Sequence, residues 1–183
     1  LNNDCEIVDG DAIAHLAALA MRPGIGAVGA KLLYPDGTIQ HAGVTLGLGG
    51  EAGHRDRGRP ADHPGSLGRL RVPHEVSAVT AACLAVRRDL FQEIGGFDEA
   101  LPVAFNDIDF CLRLAARGHR TILDPGAVLI HAESQTRGRD EGERRARFLA
   151  EAALFRARWR GAILADPFFH PALTTFRFRD ILG

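Results

Sequence analysis

Apolar residues recur with two different periods along this chain of 183 residues. Near the start they follow a helical spacing, and an acidic cap at Asp9 or Asp11 together with a Pro23-Gly24 stop predicts one helix. Residues 25–34 read IGAVGAKLLY, an almost continuous apolar run that is typical of a buried strand. Residues 9–34 are therefore predicted to form a helix and a strand. The apolar stripe of the helix comprises Ile13, Leu16, Ala17 and Ala20.

A turn and a partner strand follow the first strand. Pro35-Asp36-Gly37 is a turn sequence, and residues 38–46, which include Gln40 and His41, continue as the second strand of a hairpin. A third apolar run, VSAVTAACLAVR at residues 76–87, is rich in Val and Ala. That composition predicts another buried strand.

One helix is predicted before a Gly-Gly pair and another helix after it. Residues 88–94 carry apolar positions at helical spacing, and Gly95-Gly96 ends this helix because glycine adopts backbone angles closed to other residues. Asn106 or Asp107 can cap the next helix. Asp109 is expected to lie off its buried face and to pair with Arg113 one turn later. The buried face is predicted to comprise Ile108, Cys111, Leu112 and Ala115.

The last third of the chain predicts a broken strand and a long helix. Residues 121–130 read TILDPGAVLI, two strand pieces separated by a turn. Residues 140–159 form an amphipathic helix, and its arginines face solvent. The tail at residues 166–171 is aromatic and is expected to pack on the domain. The apolar stripe of the helix comprises Phe148, Leu149, Ala152, Phe155 and Trp159.

The chain reads as one domain, residues 1–183, with residues 140–183 as a C-terminal helix and tail. Residues 47–73 are rich in Gly, Arg, Asp, Pro and His and predict a long mobile loop. The histidines of this loop, His54 and His63, are not spaced as a metal site.

The composition of the chain limits which binding partners and which cellular compartment are expected. A hydrophobic content of 46% with 25% charged residues is ordinary for a soluble globular domain. The formal net charge of −1 gives no reason to expect a nucleic-acid partner. The three widely spaced cysteines favour reduced core thiols. No apolar run has the length of a membrane-spanning helix and no signal peptide is present, so a cytoplasmic location is predicted.

Asp107 is the leading candidate for chemistry. It lies at the mouth of the loop before the acidic helix, where side chains commonly serve a site. The local pattern leaves two interpretations open, a helix cap or a catalytic carboxylate, and capping is the commoner role.

The run GGFDEALPVAFNDIDFCLR at residues 95–113 resembles the signature of inverting family 2 glycosyltransferases with the GT-A fold, and in particular their rhamnosyltransferase-like branch. The segment GAKLLYPDGTIQHAG at residues 29–43 also resembles the family. The resemblance implies an α/β, Rossmann-like mixed sheet flanked by helices. It also implies that Asp107 is the general base, with Asn106 in place of the usual acidic neighbour.

The first residues resemble the family's metal motif. LNND at residues 1–4 is similar to an Asp-x-Asp motif in which Asn2 replaces the first Asp. The resemblance implies that Asp4 binds Mg²⁺ or Mn²⁺, ions that prefer oxygen ligands. His131 follows a predicted strand, where the family often places a metal ligand. A plain polar turn at residues 2–4 and an indirect role for His131 remain the alternatives.

Further contacts are implied by the same resemblance. Thr80 and Ala81 fall where small residues let the sugar approach the backbone. Arg137 lies in a stretch similar to the family's HxESxSRG and can meet phosphate. Gln40 and His41 are expected near the donor–acceptor cleft, although a structural role is equally open.

The resemblance covers only the later, acceptor-side half of such a domain, so the chain reads as a fragment that is inactive on its own. The implied reaction moves a sugar from a nucleotide-sugar donor to a hydroxyl acceptor, such as a glycan, with inversion. A lipid-linked acceptor would bring peripheral association with a membrane.

Two other functions remain open. A sugar-phosphate nucleotidyltransferase can share the topology, but it should show a Gly-rich phosphate loop near the N-terminus. A truncated, non-catalytic carbohydrate-binding remnant is the non-enzymatic alternative. Titration with a nucleotide diphosphate and Mn²⁺ distinguishes them.

Overall fold

The computed structural model describes residues 1–132, 142–173 and 175 of the chain. Within these residues, 3-10 segments span Ser66–Arg71 and Ala81–Cys83. The helices are α1 (Ala12–Ala20), α2 (Arg88–Ile94), α3 (Asn106–Ala115) and α4 (Glu143–Leu164). The strands are β1 (Cys5–Ile7), β2 (Ile25–Leu33), β3 (Ile39–His41), β4 (Val44–Leu46), β5 (Ala52–His54), β6 (His74–Glu75), β7 (Leu84–Ala85) and β8 (Arg120–His131).

A mixed sheet with strand order β1-β8-β2-β3 forms the centre of the domain. β2 and β8 run parallel, whereas β1 joins β8 and β3 joins β2 in antiparallel pairs. Short antiparallel pairs add β6 to β8 and β7 to β2. β4 and β5 pair with each other in a separate small sheet. The predicted α/β class is confirmed, and a mixed sheet flanked by helices is the architecture expected of a GT-A domain.

Helices cover both faces of the sheet, which explains why β2 is apolar at nearly every position. α1 packs on one face through Ala12, Leu16 and Ala20, which are all buried. α3 packs against β2 and β8, and its Phe110 belongs to a second buried cluster. The stripe of α1 uses Ala12, whereas two of its predicted members are exposed, Ile13 at 40% and Ala17.

The apolar run at residues 76–87 is not one strand, so that prediction is wrong. Leu84 and Ala85 form β7, whereas residues 81–83 form a 3-10 turn. The run is buried because it passes close to β2: a Cβ built on Gly29 would lie 2.4 Å from Cβ of Val79. Hydrophobicity alone does not separate a buried irregular segment from a buried strand.

The predicted strand at residues 38–46 is divided at Gly43. β3 stays in the main sheet, and β4 leaves it to pair with β5. Gly43 has a φ of 91°, which favours glycine. A Cβ there would also lie 2.9 Å from Cγ1 of Val76. The chain therefore bends sharply at this glycine.

Residues 47–73, expected to form a long loop, contain short regular elements. β5 and the 3-10 segment Ser66–Arg71 both lie within them. Asp56 and Arg69 form a largely buried ion pair that joins the two parts of the segment. The polar composition that predicted the loop reflects this internal pairing as well as exposure to solvent.

β8 is one strand with a bulge where two pieces were predicted. Ala30 of β2 lies opposite Asp124, but the next residue, Lys31, lies opposite Val128, so residues 125–127 bulge out. The Asp124 carboxylate accepts a hydrogen bond from the Gly126 amide at 3.0 Å. The turn therefore sits inside a continuous strand that ends at His131.

No side chain caps the start of α3, so the predicted cap at Asn106 or Asp107 is wrong. The residue before the helix, Phe105, adopts a left-handed φ of 63°. Asn106 Oδ1 accepts a hydrogen bond from the Asp107 amide, and Asp107 Oδ1 accepts one from the Ile108 amide. Both oxygens thus bind first-turn amides from inside the helix rather than from the cap position, which Phe105 occupies.

α4 buries Ala152 and Phe155, as predicted, whereas Phe148 and Leu149 are 42% and 51% exposed. Asp109 was expected to lie off the buried face of α3, but it is 0% exposed. Side chains of α4 cover it and donate hydrogen bonds to it. A carboxylate can occupy this site because its lone pairs are satisfied.

Candidate active site

A cleft of about 310 Å³ lies where several strand ends and turns meet. β3 contributes Gln40 and His41, and the last residue of β8 contributes His131. The turn at residues 80–82 and the first turn of α3, with Asp107, complete this wall. The fold rather than any local run of sequence thus assembles the site.

Asp107 is half-buried in the wall of the cleft. Its Oδ2 accepts a hydrogen bond from the Ala81 amide at 3.0 Å, and its Oδ1 accepts one from the Ile108 amide at 2.8 Å. Each carboxylate oxygen has two lone pairs, so both oxygens can accept a further hydrogen bond. The two amides fix the orientation of the carboxylate, which can receive a proton from a hydroxyl bound in the cleft.

The turn that holds Asp107 is tied to the first residues of the chain. The Ala82 carbonyl accepts a hydrogen bond from the Asn2 amide at 2.8 Å. Thr80 Oγ1 accepts one from the Ala82 amide at 3.4 Å, which helps to close the turn. Asn2, Thr80 and Ala81 therefore lie on the same wall as the carboxylate.

Asp4 and His131 face each other across the end of the β1–β8 pair. Asp4 Oδ1 lies 3.2 Å from His131 Nε2. The backbone holds them there, because Cys5 lies opposite His131 in the strand register and the Ala132 amide donates to the Asp4 carbonyl at 3.0 Å. Gln40 Oε1 accepts a hydrogen bond from His131 Nδ1 at 2.7 Å, and Gln40 Nε2 donates to the His131 carbonyl at 3.3 Å.

These contacts make the pair suitable for a cation. Since Gln40 Oε1 can only accept, His131 Nδ1 carries a proton, and in the neutral ring Nε2 offers a lone pair on the side of Asp4. Asp4 Oδ1 is buried and receives no hydrogen bond from the described residues. Two metal ligands at about 2.1 Å and a right angle stand about 3 Å apart. The spacing of these two acceptor atoms therefore fits a shared divalent ion.

Cys5 is the third group near this position. A carboxylate oxygen of Asp4, a ring nitrogen of His131 and Cys5 Sγ lie within 4.8 Å of one another. Burial, and then the charge of Asp4, raises the pKa of the Cys5 thiol. The thiol instead donates to the Ala82 carbonyl at 3.5 Å. A neutral thiol is a poor ligand for a hard ion, so the Asp4 oxygen and the His131 nitrogen remain as the two groups that could hold one.

Five residues of the cleft wall were not identified from the sequence, namely Tyr34, His54, Arg57, Ala82 and Val103. His54 and Arg57 come from the segment expected to be a loop, and both line the cleft. His54 Nδ1 lies 2.7 Å from Nδ1 of His41. The available signal was the glycine-rich turn at residues 47–50 after the short apolar run at residues 44–46, since such a turn favours a hairpin.

α4 holds the loop that leads into Asp107. The buried Glu151 accepts hydrogen bonds through Oε2 from the Val103 amide at 3.2 Å and the Ala104 amide at 2.5 Å. The ring of Phe105 stacks on Phe155 with 4.8 Å between centroids. The position of the cleft wall therefore depends on the packing of this distant helix.

The structure brings almost all of the predicted site residues to one cleft. Those that line it are Asn2, Asp4, Thr80, Ala81, Asn106, Asp107 and His131. The expected phosphate contact, Arg137, lies outside the described residues. None of the helices in the described part of the chain combines the length and apolar composition that a membrane crossing needs.

Comparison with known proteins gives a family match and several relatives. Residues 54–180 match the glycosyl transferase family group 2. A protein of Sinorhizobium fredii named y4gI, of uncharacterized function, is 48% identical over 100% of this chain and 20% of its own length. The O-antigen biosynthesis protein RfbC of Myxococcus xanthus is 41% identical over 95% of this chain and 14% of its own length.

A more distant relative has a more specific name. The N-acetylglucosaminyl-diphospho-decaprenol L-rhamnosyltransferase of Mycobacterium tuberculosis is 27% identical over 76% of this chain and 48% of its own length. The chain thus spans about half or less of the length of each of these relatives.

Proposed function

The chain belongs to the glycosyl transferase family group 2, and from this we propose that it forms the acceptor-side part of an inverting, metal-dependent glycosyltransferase. The reaction moves a sugar from a nucleotide-sugar donor to a hydroxyl of a glycan acceptor. The observation that carries the proposal is the meeting of Asp107 with the Asp4–His131 pair on one cleft. A base for the acceptor and a cation site for the donor are the two groups that such a transfer requires.

Asp107 is the proposed general base. Its carboxylate is held by the Ala81 and Ile108 amides and keeps lone pairs for the acceptor hydroxyl. It takes the proton as the acceptor oxygen attacks the anomeric carbon of the donor sugar. The bond from that carbon to the diphosphate oxygen breaks on the opposite face, so a single displacement inverts the configuration. Asn106 and Thr80 border the same space and are proposed to orient the two sugars.

Asp4 and His131 are the proposed metal ligands, with Asn2 beside them in the wall. A bound divalent ion supplies positive charge that stabilises the diphosphate leaving group. His131 keeps Nε2 available because Gln40 holds the proton on Nδ1. Arg137 is proposed as a further contact to phosphate.

The acceptor is proposed to be an intermediate of bacterial surface polysaccharide synthesis. The names of two relatives support this class, since one is an O-antigen biosynthesis protein and the other acts on a diphospho-decaprenol-linked sugar. A lipid-linked acceptor would place the protein at the cytoplasmic face of a membrane as a peripheral protein. The relatives extend well beyond the matched region, so donor-binding parts are proposed to lie outside the 183 residues, and these residues alone are expected to transfer no sugar.

The test is a transfer assay with the full-length protein. It should be incubated with Mn²⁺, an N-acetylglucosaminyl-diphospho-lipid acceptor, and in turn dTDP-rhamnose, UDP-glucose and GDP-mannose. We expect a glycosylated product with one donor, with an anomeric configuration opposite to that of the donor by proton NMR. Retention of configuration contradicts Asp107 as a base in a single displacement. Absence of transfer, together with undiminished nucleotide affinity when the metal is chelated, contradicts the metal-dependent enzyme.

A further inference from the structure

One side of α4 contacts the base loop, residues 98–105, which leads into the proposed base. The contacting side chains are Glu151, Phe155 and Arg158. They are spaced four and three residues apart, so they lie on the same side of the helix. At the start of the loop, Asp98 Oδ2 accepts a hydrogen bond from Arg158 Nη1 at 2.7 Å, and at its end the ring of Phe105 stacks on Phe155. α4 therefore holds both ends of the loop.

Glu151 is the buried carboxylate among these contacts, with 4% of its surface exposed. Its Oε2 accepts hydrogen bonds from two successive amides of the base loop, those of Val103 at 3.2 Å and Ala104 at 2.5 Å. Its Oε1 lies 3.6 Å from Nε of Arg147, which is half-exposed. Burying a carboxylate costs solvation free energy, and the two amide bonds offset part of that cost. The side chain thus ties two successive peptide groups of the loop to the helix.

The residue that follows these two amides has a strained backbone. Phe105 adopts a φ of 63°, in the left-handed region that bulky side chains rarely occupy. Such a conformation persists only where the surrounding structure holds it. The hydrogen bonds to Glu151 fix the peptide groups just before Phe105, and stacking on Phe155 fixes its ring. Loss of Glu151 would let this residue relax, and α3 begins directly after it.

The same segment carries side chains that face the cleft. Val103 is 46% exposed and lines the cleft together with Asn106 and Asp107. A rotation of the backbone at Phe105 would therefore displace Asp107 and Val103 relative to the opposite wall. The proposed metal ligands are held by the β1–β8 pair instead. A change confined to the base loop should consequently leave the donor side of the cleft in place.

We propose that Glu151 is a positioning residue that holds the base loop in the conformation in which Asp107 and Val103 meet the sugar acceptor. The proposal rests on the proposed transferase function and adds a residue that touches neither sugar. Glu151 acts by accepting hydrogen bonds from the loop. An uncharged acceptor of the same size can therefore replace it, whereas an apolar side chain of the same length cannot.

Glutamine and methionine separate hydrogen bonding from the filling of space at Glu151. Glu151→Gln keeps one oxygen with two lone pairs, enough for both loop amides. In the full-length protein we expect it to stay within about threefold of wild type, because the contact with the half-exposed Arg147 contributes little. Glu151→Met should lower kcat about ten- to a hundredfold by misplacing Asp107 and raise KM for the N-acetylglucosaminyl-diphospho-lipid acceptor about three- to tenfold. KM for the nucleotide sugar should stay within about twofold.

Glu51 provides a matched control on the same helix. Its carboxylate pairs with Arg156 of α4, and Glu51 is not among the described residues that line the cleft. Glu51→Met therefore removes a carboxylate contact to α4 without touching the base loop, and we expect wild-type kcat and KM values. Equal losses in Glu51→Met and Glu151→Met would indicate a general loosening of α4 and overturn the proposal.

Hydrogen–deuterium exchange tests the hydrogen bonds to Glu151 without any transfer reaction. Mass spectrometry of a peptide that covers residues 101–106 of the full-length protein reports the Val103 and Ala104 amides. We expect slow exchange of two amides in wild type and in Glu151→Gln, and fast exchange of both in Glu151→Met. Slow exchange in the first two supports the proposal even if the methionine variant does not fold. Fast exchange of these amides in wild type overturns it.

The outcomes for Glu151 and for the transferase function can be distinguished. If wild type transfers sugar and Glu151→Met does so with unchanged kcat and acceptor KM, the proposal fails and the transferase function stands. If wild type transfers nothing while the exchange is as expected, the transferase function fails, and the positioning role fails with it.

Discussion

Substituting Asp109 by asparagine should destabilise the protein far more than a surface substitution of the same kind. The Asp109 side chain is 0% exposed and accepts three hydrogen bonds. Oδ2 accepts from Arg113 Nε at 2.7 Å, and Oδ1 accepts from Arg158 Nη1 at 2.7 Å and from Trp159 Nε1 at 2.8 Å. This carboxylate therefore links α3 to α4.

The size of the destabilisation follows from the hydrogen-bond donors that face both carboxylate oxygens of Asp109. An amide has one acceptor oxygen, so in either orientation of the substituted side chain an NH₂ group faces a donor: Arg113 on one side, or Arg158 and Trp159 on the other. Breaking a buried ion pair from one side costs about 3–5 kcal/mol. Glu93→Gln is a matched control, since Glu93 is exposed and lies 3.8 Å from an exposed arginine, a contact worth about 0–1 kcal/mol.

Chemical denaturation of the two variants measures this difference. Urea unfolding followed by circular dichroism should place the midpoint of Asp109→Asn well below that of wild type, with Glu93→Gln close to wild type. Similar midpoints for Asp109→Asn and Glu93→Gln would refute the buried network as a source of stability.

Three further predictions concern titratable groups. Burial raises the pKa of Cys83 to about 11 and that of Cys111 to about 12, so iodoacetamide at pH 8 should label them only after unfolding, as read by mass spectrometry. The depressed pKa of His41 means that the unfolded chain binds a proton near pH 6.5 and the folded chain does not. The contribution of His41 to stability is therefore complete above that pH and falls below it by up to about 1.4 kcal/mol per pH unit, so urea titrations of His41→Gln should show a shallower decline than wild type. Asp4→Ala should weaken Mn²⁺ binding more than about tenfold by calorimetry, and Cys5→Ser should not.

Sequence patterns predicted the elements that carry a local signal. The β2–β3 hairpin follows from an apolar run and a turn in which the Asp36 carboxylate accepts from the Thr38 amide at 2.8 Å. The end of α2 follows from Gly95, which has a φ of 85° that favours glycine. These features depend on residues within a few positions of one another, so one sequence is enough to find them.

Contacts between distant parts of the chain were not predictable in the same way. The burial of Asp109 depends on donors from α4, 49 and 50 residues further along. Nothing in the helical period of α3 reveals that partner. The pairing of His41 with His54 likewise required the bend at Gly43, which brings β5 back to the cleft.

The candidate site shows the same division. The residues that line the cleft near Asp107 and Asp4 were selected from the sequence because motifs mark them. Their mutual geometry could not be predicted in this way. Asp4 and His131 are far apart in the sequence, and their contact depends on the register of the β1–β8 pair. Gln40, which accepts the hydrogen bond from His131, lies on a third strand, β3, so this contact could be identified only from the fold.

The most direct test of the account is the turnover of Asp107→Asn in the full-length protein. Asparagine keeps the size of the side chain and an oxygen for the Ala81 amide, but it cannot take a proton from the acceptor. We expect kcat for sugar transfer to fall by about 10²–10⁴-fold while the affinity for the nucleotide sugar and Mn²⁺ stays within about twofold of wild type. Turnover close to wild type, or a loss confined to donor affinity, would contradict the assignment of Asp107 as the base.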